Sequence, residues 1–332
     1  MKKIKFLINA IIHMDYKNMF KVARKVSKKA KKPFVFIFFD IIYCGFKYQA
    51  GYYDYQEFEF YLLNKEERKT YLTRGKNNAL VNKYNNKDYW YILQNKVEFN
   101  NRFKKYLKRD YIDLRNSSEE DFKNFLKNKE YVIAKELDNC GGHGIDKLKV
   151  DIKKYKELYT KLINKKQYLV EEIIVQNKKV SKLYDGSVNT LRLFTFFDGK
   201  ETYIINSIFK IGNNGFVDNF SSGGMYTFLD KKGKVIVPAI DQDDNKIEVH
   251  PTTKENILGF EIPNFDKACN MVKEASKLIP EVQYIGWDIA ILENDVCLVE
   301  GNEFPGVFQI KPSFDNGKHI GLIPEYSKYM DL

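Results

Sequence analysis

Residues 284–306 read YIGWDIAILENDVCLVEGNEFPG. Two apolar runs, 285–292 and 296–299, flank Glu293-Asn294-Asp295, a polar trio suited to a hairpin turn. With those three residues as the loop, Leu292 pairs with Val296 and Asp288 falls opposite Glu300. Side-chain alternation then puts Asn302 on the same face as Glu300. Two carboxylates held so close in an apolar setting repel one another and resist desolvation unless something positive sits between them. A hard divalent cation fills that role, and all-oxygen ligands with room for phosphate suit magnesium. The spacing alone equally allows an exposed edge with solvated acids, so the rest of the chain must decide.

A chain of 332 residues, 44% hydrophobic and 15% aromatic, can bury two or three subdomains and is globular rather than disordered. Cys44, Cys140, Cys269 and Cys297 are scattered without a CxxC, which excludes a disulfide framework or a zinc site and fits a reducing cytoplasm. No apolar run reaches the ~18 residues of a bilayer span, and no cleavable signal is expected. The net charge of +11 invites a nucleic-acid reading, but its placement opposes one. Residues 1–33 hold eleven Lys/Arg and a single acid, Asp15, leaving 44 basic against 43 acidic residues in the other 299. The body is nearly neutral and the basicity is a tail.

Residues 1–33 place Ile4, Ile8, Ile11, Ile12, Met19, Val22 and Val26 at near-helical spacing among lysines. Such a basic amphipathic helix suits an anionic membrane surface or a protein partner, or simply packs on the body. The run 34–46, FVFIFFDIIYCGF, is too short to span and reads as a buried helix or strand. The aromatics of 46–61 read as core, and 64–95 as a connection. Asn100-Asn101-Arg102-Phe103 opens a helix, and Ser117-Ser118-Glu119-Glu120 starts another with capping-box character. Residues 131–135, YVIAK, form a strand running into a loop with Gly141, Gly142 and Gly144, where backbone N–H groups can turn toward phosphate. Lys135, just upstream, can meet the charge such a loop collects. Asp151 caps a helix bearing Ile152, Tyr155, Tyr159 and Leu162. In the strand 167–175, Glu171 and Glu172 face opposite ways, so one points inward and needs a ligand or a basic partner. Residues 187–197 form a strand carrying Arg192, 204–211 a strand carrying Lys210, and 218–224 a polar loop with Asn219. Residues 228–265 are loop-rich, a flap by composition, and His250, beside Pro251, is structural.

That order of parts resembles the ATP-grasp superfamily, most closely its branch linked to sugar transfer and to capsule or teichuronopeptide biosynthesis. The matching pieces are Asp54-Tyr55…Phe60-Tyr61, the 187–192 run SVNTLR, Val217-Asp218-Asn219…Gly223-Gly224, His250-Pro251, and Gly286-Trp287-Asp288…Glu300-Gly301-Asn302. The resemblance covers roughly residues 40–310. It implies an α+β fold in which two subdomains clamp ATP, with two magnesium ions bridging its phosphates. By the same resemblance, Asp288, Glu300 and Asn302 are the metal ligands. Lys135 reaches adenine and phosphate, Gly141–Gly144 cover the phosphates, and Glu171 and Glu172 lie at the adenine and ribose hinge. Arg192 stabilises the transferring phosphoryl group, Arg102 stands where the first nucleotide lysine is usual, and Lys210 where an arginine is frequent. The expected division is a basic tail at 1–33, an N-terminal subdomain at 34–95, a lid subdomain at 96–175 and a metal-bearing subdomain at 176–332.

The family chemistry implies a ligase: ATP phosphorylates a carboxylate, and an amine displaces phosphate to leave an amide. An amino acid and a sugar-linked carboxylate or amine are the expected substrates, on fold-level analogy. The partners expected besides these are an anionic membrane surface or a glycosyltransferase met through residues 1–33, placing the protein in the cytoplasm at the inner face of the membrane. The rivals are a kinase of the same fold and a non-catalytic nucleotide-binding scaffold.

Overall fold

The computed structural model describes residues 15–137, 144–213, 215, 218, 220 and 223–332, which fall into two units. One comprises Met1–Lys83 with Gly306–Leu332, the other Tyr84–Pro305.

In the first unit, α1 (Tyr16–Ala30) starts at Asp15, whose carboxylate accepts the Asn18 N–H at 3.0 Å. Lys28 and Lys29 close its last turn, where cations suit the carbonyl end of the helix. Pro33 has no N–H to satisfy, so the chain turns there directly into α2 (Phe34–Tyr48). Helix α2 buries Ile37, Ile41, Cys44 and Tyr48, one stripe at helical spacing. The run 34–46 is therefore a helix, but the expectation that it is buried holds for that stripe alone. Val35, Phe36, Phe39, Tyr43 and Phe46 are exposed. Asp40, the polar break in the run, turns to the fork of Arg68 at 2.8 and 2.7 Å and to the Tyr55 hydroxyl at 2.6 Å. The last residues return to this unit: the Gln309 amide donates to the Leu72 carbonyl at 2.7 Å and accepts the Leu72 N–H at 3.2 Å. Gly306–Leu332 belong to this first unit.

The second unit holds two sheets. The smaller has the order β1-β4-β2-β3, from β1 (Tyr111–Asp113), β2 (Tyr131–Lys135), β3 (Ile145–Lys149) and β4 (Leu169–Glu172). Phe122 and Leu126 of one helix (Glu119–Leu126) and Leu162 of another (Tyr155–Asn164) join Val132, Ala134 and Val170 in its core. Ser118 caps the former in a capping box with Asp121. The helix expected to open at Asn100 instead ends there. It spans Lys96–Arg102 and is started by Asn95, whose side chain accepts the Val97 and Glu98 N–H groups at 3.0 and 3.2 Å.

The larger sheet is antiparallel with the order β11-β10-β5-β6-β7-β8-β9. Its strands are β5 (Thr190–Phe197), β6 (Thr202–Ile211), β7 (Met225–Phe228), β8 (Ala239–Ile240), β9 (Lys246–Ile247), β10 (Tyr284–Ile291) and β11 (Val296–Asn302). One face carries Leu191, Leu193, Phe209 and Ile211, with Trp287 and Ile289 beside them, into a core shared with Val272 of the helix Phe265–Ser276. Alternation sends Thr190, Arg192, Lys210 and Asp288 to the other face. The loop-rich 228–265 contributes the two short strands β8 and β9 to this sheet.

The β10–β11 hairpin reaches its expected pairing by an unexpected route. Its loop is one residue longer than the polar trio: Ile291, not Leu292, pairs with Val296, and the Leu292 N–H donates to the Asp295 carbonyl at 3.0 Å. Left alone, that slip would set Asp288 against Val299. A bulge at Val299 absorbs the extra residue and restores Asp288 opposite Glu300 and Gly286 opposite Asn302.

Candidate functional site

Asp288, Arg192 and Lys210 come from three neighbouring strands and meet on the face away from the core. Arg192 lies directly across from Asp288 and grips it with two parallel bonds, Nε to Oδ1 and Nη2 to Oδ2, both 2.6 Å. The Lys210 ammonium reaches the same carboxylate at 3.1 Å and Asp218 at 3.5 Å. Asp218 in turn accepts the Thr190 N–H at 2.9 Å and the Thr190 hydroxyl. Burial opposes charge on all of these groups. The two cations overcome it at Asp288, which they hold well below the usual carboxylate range. At Asp218 burial wins and its affinity for a proton rises. Glu300, opposite Asp288, opens half of its side chain to the cavity. Partial desolvation and the Asp288 charge push it up to about 7. Asn302 donates its amide N–H to the Gly286 carbonyl at 3.2 Å, which leaves its Oδ1 as an acceptor.

A second charged cluster is built around Glu171. Strand β4 points this residue inward and Glu172 outward to Lys129 at 3.0 Å. Glu171 takes the Asn100 amide at 2.7 Å, Arg109 at 3.0 Å and the Lys135 ammonium. Of the two ways the sequence left for an inward acid, a basic partner is the one seen. Burial works against its charge, but Arg109 and Lys135 hold it at about 2. Arg109 itself is buried and also donates to the Leu298 carbonyl at 2.6 Å.

A cavity of about 380 Å³ joins the two clusters, within the range of ligand pockets. Ile133, Ile145, Ile173, Val175 and Val299 give it an apolar slot. The cluster of Arg109, Lys135 and Glu171 and that of Lys210, Asp218, Asp288 and Glu300 supply its charged lining. Residues 173–175, where the chain leaves β4, form part of its wall. The bulged Val299 belongs to this lining, so the irregularity that rescues the register also supplies a cavity side chain.

Of the residues singled out in the sequence, Lys135, Glu171, Glu172, Lys210, Asp288 and Glu300 line this cavity. Arg192 and Asn302 stand beside them through the contacts above. Arg102 does not join them: it is exposed and donates to the Leu278 carbonyl at 3.3 Å, whereas Arg109 is the arginine of the cavity lining. Gly141, Gly142 and Asn219 lie outside the described residues. Gly144 ends the β2–β3 connection at φ +69°, the left-handed region, where an added Cβ would stand 2.8 Å from the Glu136 side chain. Arg109 and Asp218 were missed as site residues. Asp218 had a signal in the Val217-Asp218-Asn219 match, while Arg109 is one of several cations in 104–109 and nothing local marks it. His250 is buried, its Nδ1 accepting the Thr252 and Thr253 N–H groups, so Nε2 donates to the Gly212 carbonyl at 3.0 Å.

The donor set fits magnesium. Asp288 and Glu300 are opposed carboxylates, one held ionised and the other with a raised affinity for a proton that a cation would reverse, and the Asn302 oxygen is adjacent. Among the described residues no group of three or more His, Cys, Asp or Glu side chains is placed to hold a metal, so a cation here would rest on two carboxylates and an amide.

Two sheets that both line one cavity, with apolar side chains and two charged clusters between them, fit the ATP-grasp class of fold. The family model for sugar-transfer associated ATP-grasp proteins matches residues 75–317, and the chain belongs to that family. Among solved structures it is similar to D-alanine–D-alanine ligase from Bacillus anthracis, with 10% identity over 71% of this chain and 66% of that one, TM-score 0.40. It is also similar to the ATP-grasp ligase PsnB complexed with minimal precursor (11%, 74% and 61%, 0.41) and to phosphoribosylamine–glycine ligase from Thermotoga maritima (12%, 65% and 49%, 0.40). The chain thus spans less than two thirds of the length of each. Among curated proteins none matches.

Proposed function

We propose that this protein is an ATP- and magnesium-dependent ligase that joins a carboxylate to an amine through an acylphosphate, in the building of a capsule or other surface polysaccharide. The observation that carries the reading is one cavity lined both by Ile133, Ile145, Ile173, Val175 and Val299 and by Asp288, Glu300 and Lys210. That combination suits a nucleoside triphosphate, with apolar side chains for the base and charged groups for the phosphates and their cation. The family description supports an association with sugar transfer, and the polysaccharide setting extends it; the substrate classes are a free amino acid with a sugar-linked carboxylate or amine.

Asp288, Glu300 and Asn302 would hold magnesium, which when bound supplies positive charge against the phosphate oxygens. Arg192 and Lys210 add fixed cations at the same end, oriented by Asp288 before any substrate arrives, so little reorganisation is needed when charge develops on the transferring phosphoryl group. Lys135 keeps Glu171 as a partner and has N–H donors left for a phosphate oxygen. A substrate carboxylate oxygen bonds to the γ-phosphorus and ADP leaves; the amine nitrogen then bonds to the acyl carbon and inorganic phosphate leaves. Ile133, Ile145 and Val299 keep water from the slot between these steps.

The test is calorimetric titration of Mg-ATP into the wild type and Glu300→Gln, followed by phosphate release with candidate carboxylate–amine pairs. Magnesium-dependent binding that the substitution weakens at least ~tenfold, and an amide product with free phosphate, are expected. A folded wild type that does not bind Mg-ATP, or a product that retains phosphate, overturns the ligase reading.

A further inference from the structure

We propose that the exposed face of α2, with the basic helix α1 beside it, seats the protein on the surface of an anionic lipid bilayer. The inference concerns the first unit alone and is independent of the ligase reading.

A helix buried on one side normally shows water its polar side, and α2 does not. Val35, Phe36, Phe39, Tyr43 and Phe46 are 43–63% exposed, whereas Ile37, Ile41 and Cys44 on the opposite stripe are 0–3% exposed. At 100° per residue the exposed five span an arc of roughly 100°. Its one acid, Asp40, is drawn to Arg68 and Tyr55. Five large apolar side chains in one stripe exceed the scattered exposure of an ordinary surface. Among the described residues no helix is long and apolar enough to cross a membrane, so a stripe of this kind lies on an apolar surface rather than through one.

The charge around the stripe selects the occupant. Residues 15–33 hold eight Lys/Arg and one acid, Asp15, in a protein whose remaining body is nearly neutral. The basic and aromatic sides are continuous. Phe20 of α1 stacks on Phe38 of α2 with ring centroids 4.8 Å apart, and the Lys32 ammonium stands 5.9 Å from the centre of the Phe36 ring. An aromatic stripe bordered by cations matches the headgroup level of an anionic leaflet, with rings at the acyl boundary and ammonium groups among phosphates.

The full chain is sedimented with vesicles of phosphatidylcholine alone and of phosphatidylcholine with about one third phosphatidylglycerol, at low and high salt. Binding to the anionic vesicles only, weakened by salt, is expected. The variant Phe36→Ser, Phe39→Ser, Phe46→Ser should lose at least about tenfold of that binding while staying folded with a similar unfolding midpoint, because each of the three residues is more than half exposed. Lys21→Glu with Lys25→Glu should lower it as well. Three results overturn the proposal: a wild type that ignores anionic vesicles, a triple serine variant that binds as well as the wild type, or self-association without lipid that the serine variant abolishes. The second would move the contact to another segment, and the third would make a second copy the occupant.

Discussion

Replacing Glu171 by Gln keeps the shape of the side chain and removes only its charge. Its Oε1 can still accept from Asn100 and Arg109, but Arg109 is left as a cation in the protein interior. Its other described acceptors, the Leu107 and Leu298 carbonyls, are neutral. The magnitude can be reached in two ways. A carboxyl held at about 2 instead of 4.5, at ~1.4 kcal/mol for each tenfold in proton affinity, corresponds to roughly 3 kcal/mol. Breaking a buried pair by neutralising one member costs about 3–5 kcal/mol, and the lower figure applies because Lys135 can turn toward water. Thermal unfolding should therefore fall by about 6–12 °C at about pH 7 for a unit of this size. The sign with pH follows from the depression. The stabilisation is complete above the ordinary value of 4.5, shrinks as pH falls, and is gone below about 2, so wild type and variant converge in acid. The double variant Arg109→Met, Glu171→Met should recover most of the loss, since the one charge it leaves, on Lys135, can turn toward water. A Glu171→Gln protein within about 1 kcal/mol of the wild type, or a gap that persists to about pH 2, refutes the reasoning.

Two further outcomes rest on the site geometry. Because Glu300 titrates at about 7, a cation must displace its proton below that pH. Magnesium-dependent ATP affinity should then fall between about pH 8 and about pH 6, by at most ~tenfold per pH unit, and be flat in Glu300→Gln. Equal affinity across that range, measured by calorimetry, would remove Glu300 from the metal. Trp287→Phe loses the indole bond to the Thr195 hydroxyl at 2.9 Å and part of the packing on Phe103. Denaturant unfolding should show a loss of about 2 kcal/mol with Mg-ATP affinity kept, since Trp287 faces the core and Asp288 the cavity.

What the sequence disclosed and what it hid divide by the range of the interaction. The strand Tyr131–Lys135 and the capping box at Ser118 are set by neighbours within a few residues, and both stand where the pattern put them. Asn95 is equally local, yet Asn100 and Asn101 are cap-forming residues too, and a helix start read at Asn100 falls at the end of the one that Asn95 caps. The inward turn of Glu171 follows from strand alternation. That Arg109 rather than Arg102 answers it does not, because the Leu298 carbonyl that fixes Arg109 is 189 residues away in the chain. The exposure of α2 was hidden for a related reason. A run apolar on every side carries no periodic mark of which face is covered, and burial was the default expectation. Only the path of Asp40 toward Arg68, in a helix beginning at Lys65, shows which side is in.

The hairpin shows why a correct site can be read from an incomplete picture. The polar trio gave too short a loop, and the bulge at Val299 was not foreseen, yet the two errors cancel at Asp288 and Glu300. The cancellation has a physical cause. A slip of one residue would turn Glu300 and Asn302 toward the core occupied by Trp287 and Leu298, and bring Gly301 out. Gly301 cannot leave that position freely: an added Cβ would lie 3.0 Å from Leu93, 3.2 Å from Trp287 and 3.3 Å from Phe99, so the neighbours close on a residue with no side chain. Two carboxamide and carboxylate groups driven into that packing without partners would cost several kcal/mol. A bulge leaves one residue unpaired and spares the rest of the strand. Deleting Val299, the extra residue, should therefore leave Leu298 opposite Ile289 and Glu300 opposite Asp288 in a regular ladder and cost the cavity one lining residue; loss of the folded state in that variant, read by circular dichroism, would refute this account of the bulge.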